Sequence, residues 1–230
     1  MIKLLILIYF VYMIFHVKSM IQYNPNANVI YIEQADKDKI RLELNEKSPL
    51  VIKHHLDYSV SLDSMNLQIP GYIINDNETL LSLDQLCKSE SVNIYHNSKL
   101  VEDFNLSETI KLTEDLMTTS LKCSSDYGLS LYKGHHESLL FKNYRETSFI
   151  QPLYGDIVLY IFNPKHEKDI KGKQLKSIKK WGIKLELTKD TLVVIPTEWF
   201  YFYEIDKETI LMHGSCDTYF SWLFNYIRKK

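Results

Sequence analysis

The sequence predicts a mainly β, α+β domain: a barrel or sandwich with a few flanking helices, preceded by an N-terminal hydrophobic helix. Three observations carry that prediction. From Leu129 onward, short β-branched and aromatic runs follow one another between turn residues, as in barrels and sandwiches. Between Met20 and Leu129, strand-like runs mix with segments whose apolar residues recur at helical spacing. Residues 4 to 15 are apolar without interruption. With 230 residues, 45% hydrophobic and 24% charged, the chain suits one domain with a substantial core, and 7 Gly and 6 Pro leave little room for flexible linkers. The expected organisation is a targeting segment over 1–19 and a single domain over 20–230. Within that domain, 20–128 is a mixed N-terminal part, 129–220 a β-rich barrel core and 221–230 a basic tail.

The N-terminal run is flanked by Lys3 and by His16-Val17-Lys18. A spanning helix needs about 20 apolar residues, with a lower limit near 17, so Met1 to Val17 reaches the limit only if Lys3 snorkels to the headgroups. The expectation is a single-pass signal-anchor in a membrane. A cleaved signal peptide, leaving a secreted or lumenal domain, competes with it, and a buried N-terminal element is the third alternative. No small-x-small cleavage site follows the run.

The elements then follow in order. Asn28 to Glu33 is a short strand after the Asn24-Pro25-Asn26 turn, and Gln34 to Asn45 is a short helix or an edge strand. Pro49 to Lys53 is a strand entered through proline. Leu80 to Cys87 and Ser107 to Thr118 read as helices, the second with Ser107 as N-cap and Glu108 in its first turn. Strands follow at Leu129–Tyr132, Ser148–Tyr154, Ile157–Phe162, Ile183–Leu187, Leu192–Ile195, Trp199–Tyr203 and Thr209–His213. Leu192 to Ile195 has no polar face and is expected to be buried on both sides, whereas Ile183 to Leu187 alternates and is expected half-exposed. Tyr219 to Ile227 again carries helical spacing. Trp199 to Tyr203 is expected to form core and barrel mouth, and His213-Gly214-Ser215-Cys216 a strand end and turn.

A net charge of −2 gives no electrostatic case for nucleic-acid binding. The wealth of Ile, Lys, Asn and Tyr fits AT-rich coding, as in a parasite or a large DNA virus. Cys87, Cys123 and Cys216 form no CxxC pair and are expected to be small buried hydrophobes, with one disulfide as the alternative. Asn77-Glu78-Thr79 and Asn105-Leu106-Ser107 are formal glycosylation acceptors. Between Asn163 and Lys180 lies a lysine-rich stretch including Lys171, Lys173, Lys176, Lys179 and Lys180. Its readings are a solvated loop or a contact with anionic headgroups. Nucleophile elbows, phosphate loops and dinucleotide fingerprints are absent.

Three segments occur in a telling order: Lys47-Ser-Pro-Leu-Val-Ile52, Tyr154-Gly-Asp-Ile-Val-Leu-Tyr-Ile-Phe-Asn-Pro164, and Asp190-Thr-Leu-Val-Val-Ile-Pro-Thr-Glu-Trp199. Together they resemble the JmjC-type cupin domains of the Fe(II)/2-oxoglutarate oxygenase superfamily, over about Pro49 to Phe220. The resemblance implies a double-stranded β-helix, a cupin or jelly-roll-like barrel. In the family two histidines and one acid hold Fe(II), leaving open positions for oxygen and co-substrate. Those positions correspond here to Phe141, Asn143 and Tyr201, and the lysine that grips the co-substrate corresponds to Ile157. All four have lost the family's chemistry. The resemblance therefore implies a domain without a cofactor, its role structural or interaction-based, toward a protein partner that the residues do not name. Its oligomeric state stays equally open. The alternatives are a hydroxylase or demethylase using Fe(II) and 2-oxoglutarate through rearranged ligands, drawn from His135, His136, Glu137 and His213, and a ligand-binding module that keeps the pocket. Neighbouring histidines on a strand face opposite ways, so His135 and His136 share a pocket only from a loop; His54-His55 reads the same way.

Overall fold

The structure is a computed structural model that describes residues 2–34, 36–55, 60–76, 79–117 and 122–228. The acceptor Asn77 and its neighbour Glu78 lie outside the described residues. The fold is α+β with extensive sheet, led by an apolar helix. In the first part, α1 (Ile2–Ile21) precedes β1 (Ile30–Ile32), α2 (Lys37–Asn45), β2 (Leu50–Lys53) and α3 (Leu62–Gln68). A small hairpin of β3 (Ile73–Asp76) and β4 (Thr79–Ser82) leads to α4 (Leu83–Lys88), β5 (Val92–Asn97), α5 (Ser98–Asp103) and α6 (Ser107–Met117). The second part runs through β6 (Lys122–Lys133), β7 (His136–Glu137), β8 (Phe141–Lys142), β9 (Thr147–Tyr154) and β10 (Ile157–Phe162). It continues with α7 (Glu167–Ile170), α8 (Leu175–Ile178), β11 (Ile183–Leu187), β12 (Thr191–Pro196), β13 (Phe200–Ile205), β14 (Thr209–Thr218) and α9 (Tyr219–Arg228).

Two sheets dominate. The larger has the order β1-β2-β12-β9-β14-β6-β5 and is antiparallel except for the β1–β2 pair. The smaller runs β11-β10-β13, with the two-residue strands β7 and β8 end to end along the free edge of β13. From β6 onward the chain crosses between sheets at nearly every turn, so strands adjacent in sequence rarely pair. Val51, Ile150, Val193, Ile195 and Leu211 of the larger sheet pack on Ile157, Leu159, Leu185, Tyr203 and Ile205 of the smaller. On the outer face of the larger sheet, Leu50, Ile52, Leu192, Val194 and Met212 pack under α2 to α6. Phe162, Phe200 and Phe202 on the outer face of the smaller sheet are covered by Ile170 and Ile178.

This layering explains the sequence patterns. Strand β12 lies inside a sheet covered on both sides, so burying every residue from Leu192 to Ile195 requires an unbroken apolar run. Strand β11 is an edge strand covered on one side, and alternation suffices. Pro152 is tolerated within β9 because β12 pairs only with residues 147–150, so its missing N–H is not needed there.

Several expectations need correction. The helix expected over Leu80 to Cys87 is strand β4 followed by α4, split at Ser82, whose side chain and Gln85 form a capping box. Strand β14 continues through His213-Gly214-Ser215-Cys216 to Thr218 instead of turning there. The lysine-rich stretch is not an irregular loop but a series of short helical turns with Ile170 and Ile178 turned inward. Residues 221–228, the described part of the basic tail, belong to α9, as the helical spacing of Tyr219 to Ile227 predicts. Cys216 is buried, Cys87 partly so, but Cys123 is exposed, and all three are free thiols.

Gly155 carries the turn from β9 to β10 at φ +73°. A Cβ there would collide with the Glu208 carbonyl oxygen and lie 2.7 Å from Thr209 Oγ1. Gly155→Ala combines a left-handed backbone with a backbone clash, and we expect it to cost about 2–4 kcal/mol in urea unfolding; a cost below about 0.5 kcal/mol would mean that this turn relaxes freely.

Candidate functional site

The two sheets open at one end into a cleft of about 340 Å³. Asn143, Tyr201 and His213 line it, with Tyr95 and His96 from β5 across the mouth. Phe141 stands directly behind: β8 pairs it with Tyr201 of β13, and the rings lie 5.4 Å apart. Its other face stacks on Tyr95 at 5.5 Å and 8°. Three of the four positions singled out by the resemblance thus converge. Ile157 does not join them. Tyr201 sits opposite Ile161 on β10, so Ile157 lies four residues, about 13 Å, further along that strand. It is 2% exposed in the core between the sheets.

Asn143 is only 4% exposed, and both ends of its amide are hydrogen-bonded. Its Nδ2 donates to the Ile195 carbonyl at 2.7 Å, while Oδ1 accepts from the Arg145 N–H at 2.9 Å and the Ser148 hydroxyl at 2.7 Å. Its backbone N–H donates to the Trp199 carbonyl and its carbonyl accepts from the Glu198 N–H. One side chain therefore ties the β8–β9 loop to β12 and to the turn before β13. That turn is held as well by Trp199 Nε1 donating to the Lys47 carbonyl at 3.1 Å, and by Lys142 and Arg228 pairing with Glu198 at 2.8 and 2.6 Å. Burial alone would raise the Glu198 pKa, but hydrogen bonds from Arg228 and Lys142 outweigh it and leave it lowered.

His213, expected at a strand end or among rearranged metal ligands, forms part of the cleft wall. It faces inward from β14 between Tyr95, 5.7 Å away, and Tyr203, 5.9 Å away. Tyr203 in turn shares a hydrogen bond with Tyr132, O to O 2.7 Å. His96 reaches the same place through a bulge in β5: its φ is +48°, the pairing with β6 shifts register there, and Gly128 opposite leaves room where a Cβ would be 2.8 Å from the His96 backbone. Its ring lies 6.2 Å from that of His213 and bonds to Asp126 at 3.1 Å. His213 is 6% exposed, and its Nε2 is buried without a hydrogen-bond partner. Burial, reinforced by His96, pulls its pKa down to about 3, so the imidazole is neutral at physiological pH. Burial likewise pushes the Tyr201 hydroxyl well above its ordinary range.

The other candidate ligands lie apart. His135 pairs with Asp206 at 2.7 Å on the surface, His136 stacks on Tyr132 at 4.7 Å, and Glu137 faces Lys179 at 4.0 Å. Among the described residues, no group of three or more His, Cys, Asp or Glu side chains is placed to hold a metal ion. The donors where the resemblance would put iron do not fit it either: Phe141 has no lone pair to offer, and both polar ends of the Asn143 amide are already committed. His54, after β2, sits beside α6, with Thr113 Oγ1 3.5 Å from its Nε2.

Of the lysines, Lys179 bonds Glu204, Lys171 lies 3.8 Å from Glu167, and Lys180 lies over the Trp181 ring. Lys173 and Lys176 are exposed. Lys165, Lys168 and Lys171 share a groove with Glu167, Glu198, Ile21 and Tyr23, at the C-terminal end of α1. Helix α1 itself is long and apolar enough to cross a membrane, a test that a signal sequence also passes.

No protein-family model matches this chain, and no curated protein matches it.

Proposed function

We propose that this chain is a membrane-anchored, double-stranded β-helix protein whose barrel mouth has become packed structure, and that its role is structural or interaction-based rather than catalytic. The fold reading is supported by the strand order. Strands β6, β9, β12 and β14 fall in one sheet and β7/β8, β10, β11 and β13 in the other, as a barrel wound from two interleaved strand pairs requires. The observation that carries the functional reading is Asn143. At the position where the resemblance calls for an acid ligand, both the oxygen and the nitrogen of the side-chain amide bond within the fold. Anchorage rests on the exposed apolar surface of α1.

Two assays test this reading. Full-length protein given Fe(II) and 2-oxoglutarate is expected to form no succinate above a no-protein control; stoichiometric succinate would return the chain to the oxygenases. Removal of residues 1–19 is expected to abolish co-flotation with vesicles, and persistent flotation would move the membrane contact into the domain.

One observation favours a second reading, a binding module for a small polar molecule. The unpartnered Nε2 of His213 belongs to a side chain lining the cleft, and a buried polar atom without a partner is what a ligand would satisfy. Thermal stabilisation by such a molecule, lost on Tyr201→Ala, would support it.

A further inference from the structure

We infer that α9 is a second membrane-contacting element, lying in the headgroup region with its aromatic face toward lipid. This rests on the reading that α1 enters the bilayer.

The argument starts from where α1 meets the domain. Its 20 residues make a rod about 30 Å long, close to the hydrocarbon thickness, so it spans only if nearly all of it is immersed. Yet the domain grips its middle as well as its end. Phe220 of α9 touches Tyr9 at 5.5 Å, Tyr12 at 5.2 Å and His16 at 5.5 Å. Only residues 2–8 project beyond this contact, about 10 Å of helix. Ten ångströms cannot cross a bilayer, so insertion of α1 carries α9 down to the lipid.

Helix α9 is built for that position. Its inner face is polar and pinned: Ser221 donates to Glu146 at 2.6 Å, Asn225 to Asp217 at 3.2 Å and Arg228 to Glu198 at 2.6 Å. Outward it presents the exposed Tyr219 and Tyr226 with the half-buried Trp222 between them as a ladder, ring centroids 6.3 and 5.9 Å apart, and the exposed Ile227 beside them. Amphipathic Tyr and Trp rings are the residues that settle at membrane interfaces. The exposed apolar residues of α1 and this ladder meet at Phe220, whereas soluble monomers rarely expose contiguous apolar patches beyond a few hundred Å².

The experiment uses the full chain reconstituted into phosphatidylcholine vesicles, with and without acyl-brominated lipid. Of the three tryptophans, Trp199 is fully buried, Trp181 is exposed among the lysines and Trp222 is half-buried. Brominated lipid is expected to quench the wild-type emission, and Trp222→Phe to remove at least half of that quenching while flotation is unchanged. Iodide in the aqueous phase should quench Trp222 little. Flotation with equal quenching in wild type and Trp222→Phe would leave the anchor standing and overturn this inference. Protection from iodide without lipid quenching would assign the face to a second copy of the chain and overturn it too. Failure to float would overturn both the anchor and the inference.

Discussion

Asn143→Ala should destabilise the protein by about 2–4 kcal/mol, because it takes the partner from the buried Ile195 carbonyl and from the half-buried Arg145 N–H and Ser148 hydroxyl. That is a large share of the 5–15 kcal/mol available to an ordinary domain. Urea unfolding monitored by far-UV circular dichroism measures it, and a loss below about 1 kcal/mol would show that the site is wet or that the loop repacks. Asn143→Asp is the sharper variant, because it restores the acid that the resemblance calls for. One carboxylate oxygen can still accept from Arg145 and Ser148, but the other would face the Ile195 carbonyl at 2.7 Å. We expect this variant to be at least as unstable as the alanine variant at pH 7. Its buried carboxyl has a pKa raised above the unfolded value, so the folded state binds the extra proton and stability should improve as pH falls.

The second large effect concerns His213. The unfolded imidazole takes up a proton near pH 6.5, whereas the folded one resists until about pH 3. Between those values the unfolded state binds more protons, so stability falls as pH drops from about 6.5 toward 3, by a total on the order of 5 kcal/mol. Glu146 adds its own acid sensitivity lower down. Burial alone would raise its pKa, but hydrogen bonds from His16, Ser221 and Thr218 hold it at about 2, so its contribution is present above the unfolded carboxylate value and lost as pH falls toward 2. In the window from pH 6.5 to 4.5 the histidines dominate this loss, opposed by Glu137, whose pKa burial and the neighbouring Glu204 raise. Burial also lowers His54 and His136, so part of the slope is theirs. In His213→Phe most of the slope in that window should vanish, with stability at pH 7 unchanged or slightly improved, since the substitution removes a polar atom that has no partner. An unchanged slope would mean that His213 is solvated or paired in the folded protein.

Much of the β-rich half was legible because each strand's environment is written in its own residues. The run Leu192 to Ile195 announced burial on two faces, and β10 and β11 have the bounds that their patterns gave. What was illegible depended on partners. Strand β14 runs to Thr218 because β6 and β9 pair with it on both sides, although His213-Gly214-Ser215 has no strand pattern of its own. Strands β7 and β8 are two residues each and exist only as an edge laid along β13. A local signal was overlooked at Ser82-Leu-Asp-Gln85, a capping box that marks where β4 stops and α4 begins.

The cleft divides in the same way. Phe141, Asn143 and Tyr201 were reachable through the resemblance, and they lie together. Tyr95, His96 and the inward turn of His213 were not, since they meet only through a bulge in β5 opposite Gly128, a feature of tertiary register rather than of local sequence. Sequence also gave the helical spacing of α9 without showing that Phe220 would dock on α1.

The central claim is that side chains which serve packing and internal hydrogen bonds occupy the mouth of the barrel in place of metal ligands. Its most direct test is the iron content of the full-length protein after anaerobic incubation with excess Fe(II) and desalting. The account predicts far less than one iron per chain, unaffected by Tyr201→Phe. One iron per chain, lost on Tyr201→Phe or His213→Phe, would contradict it.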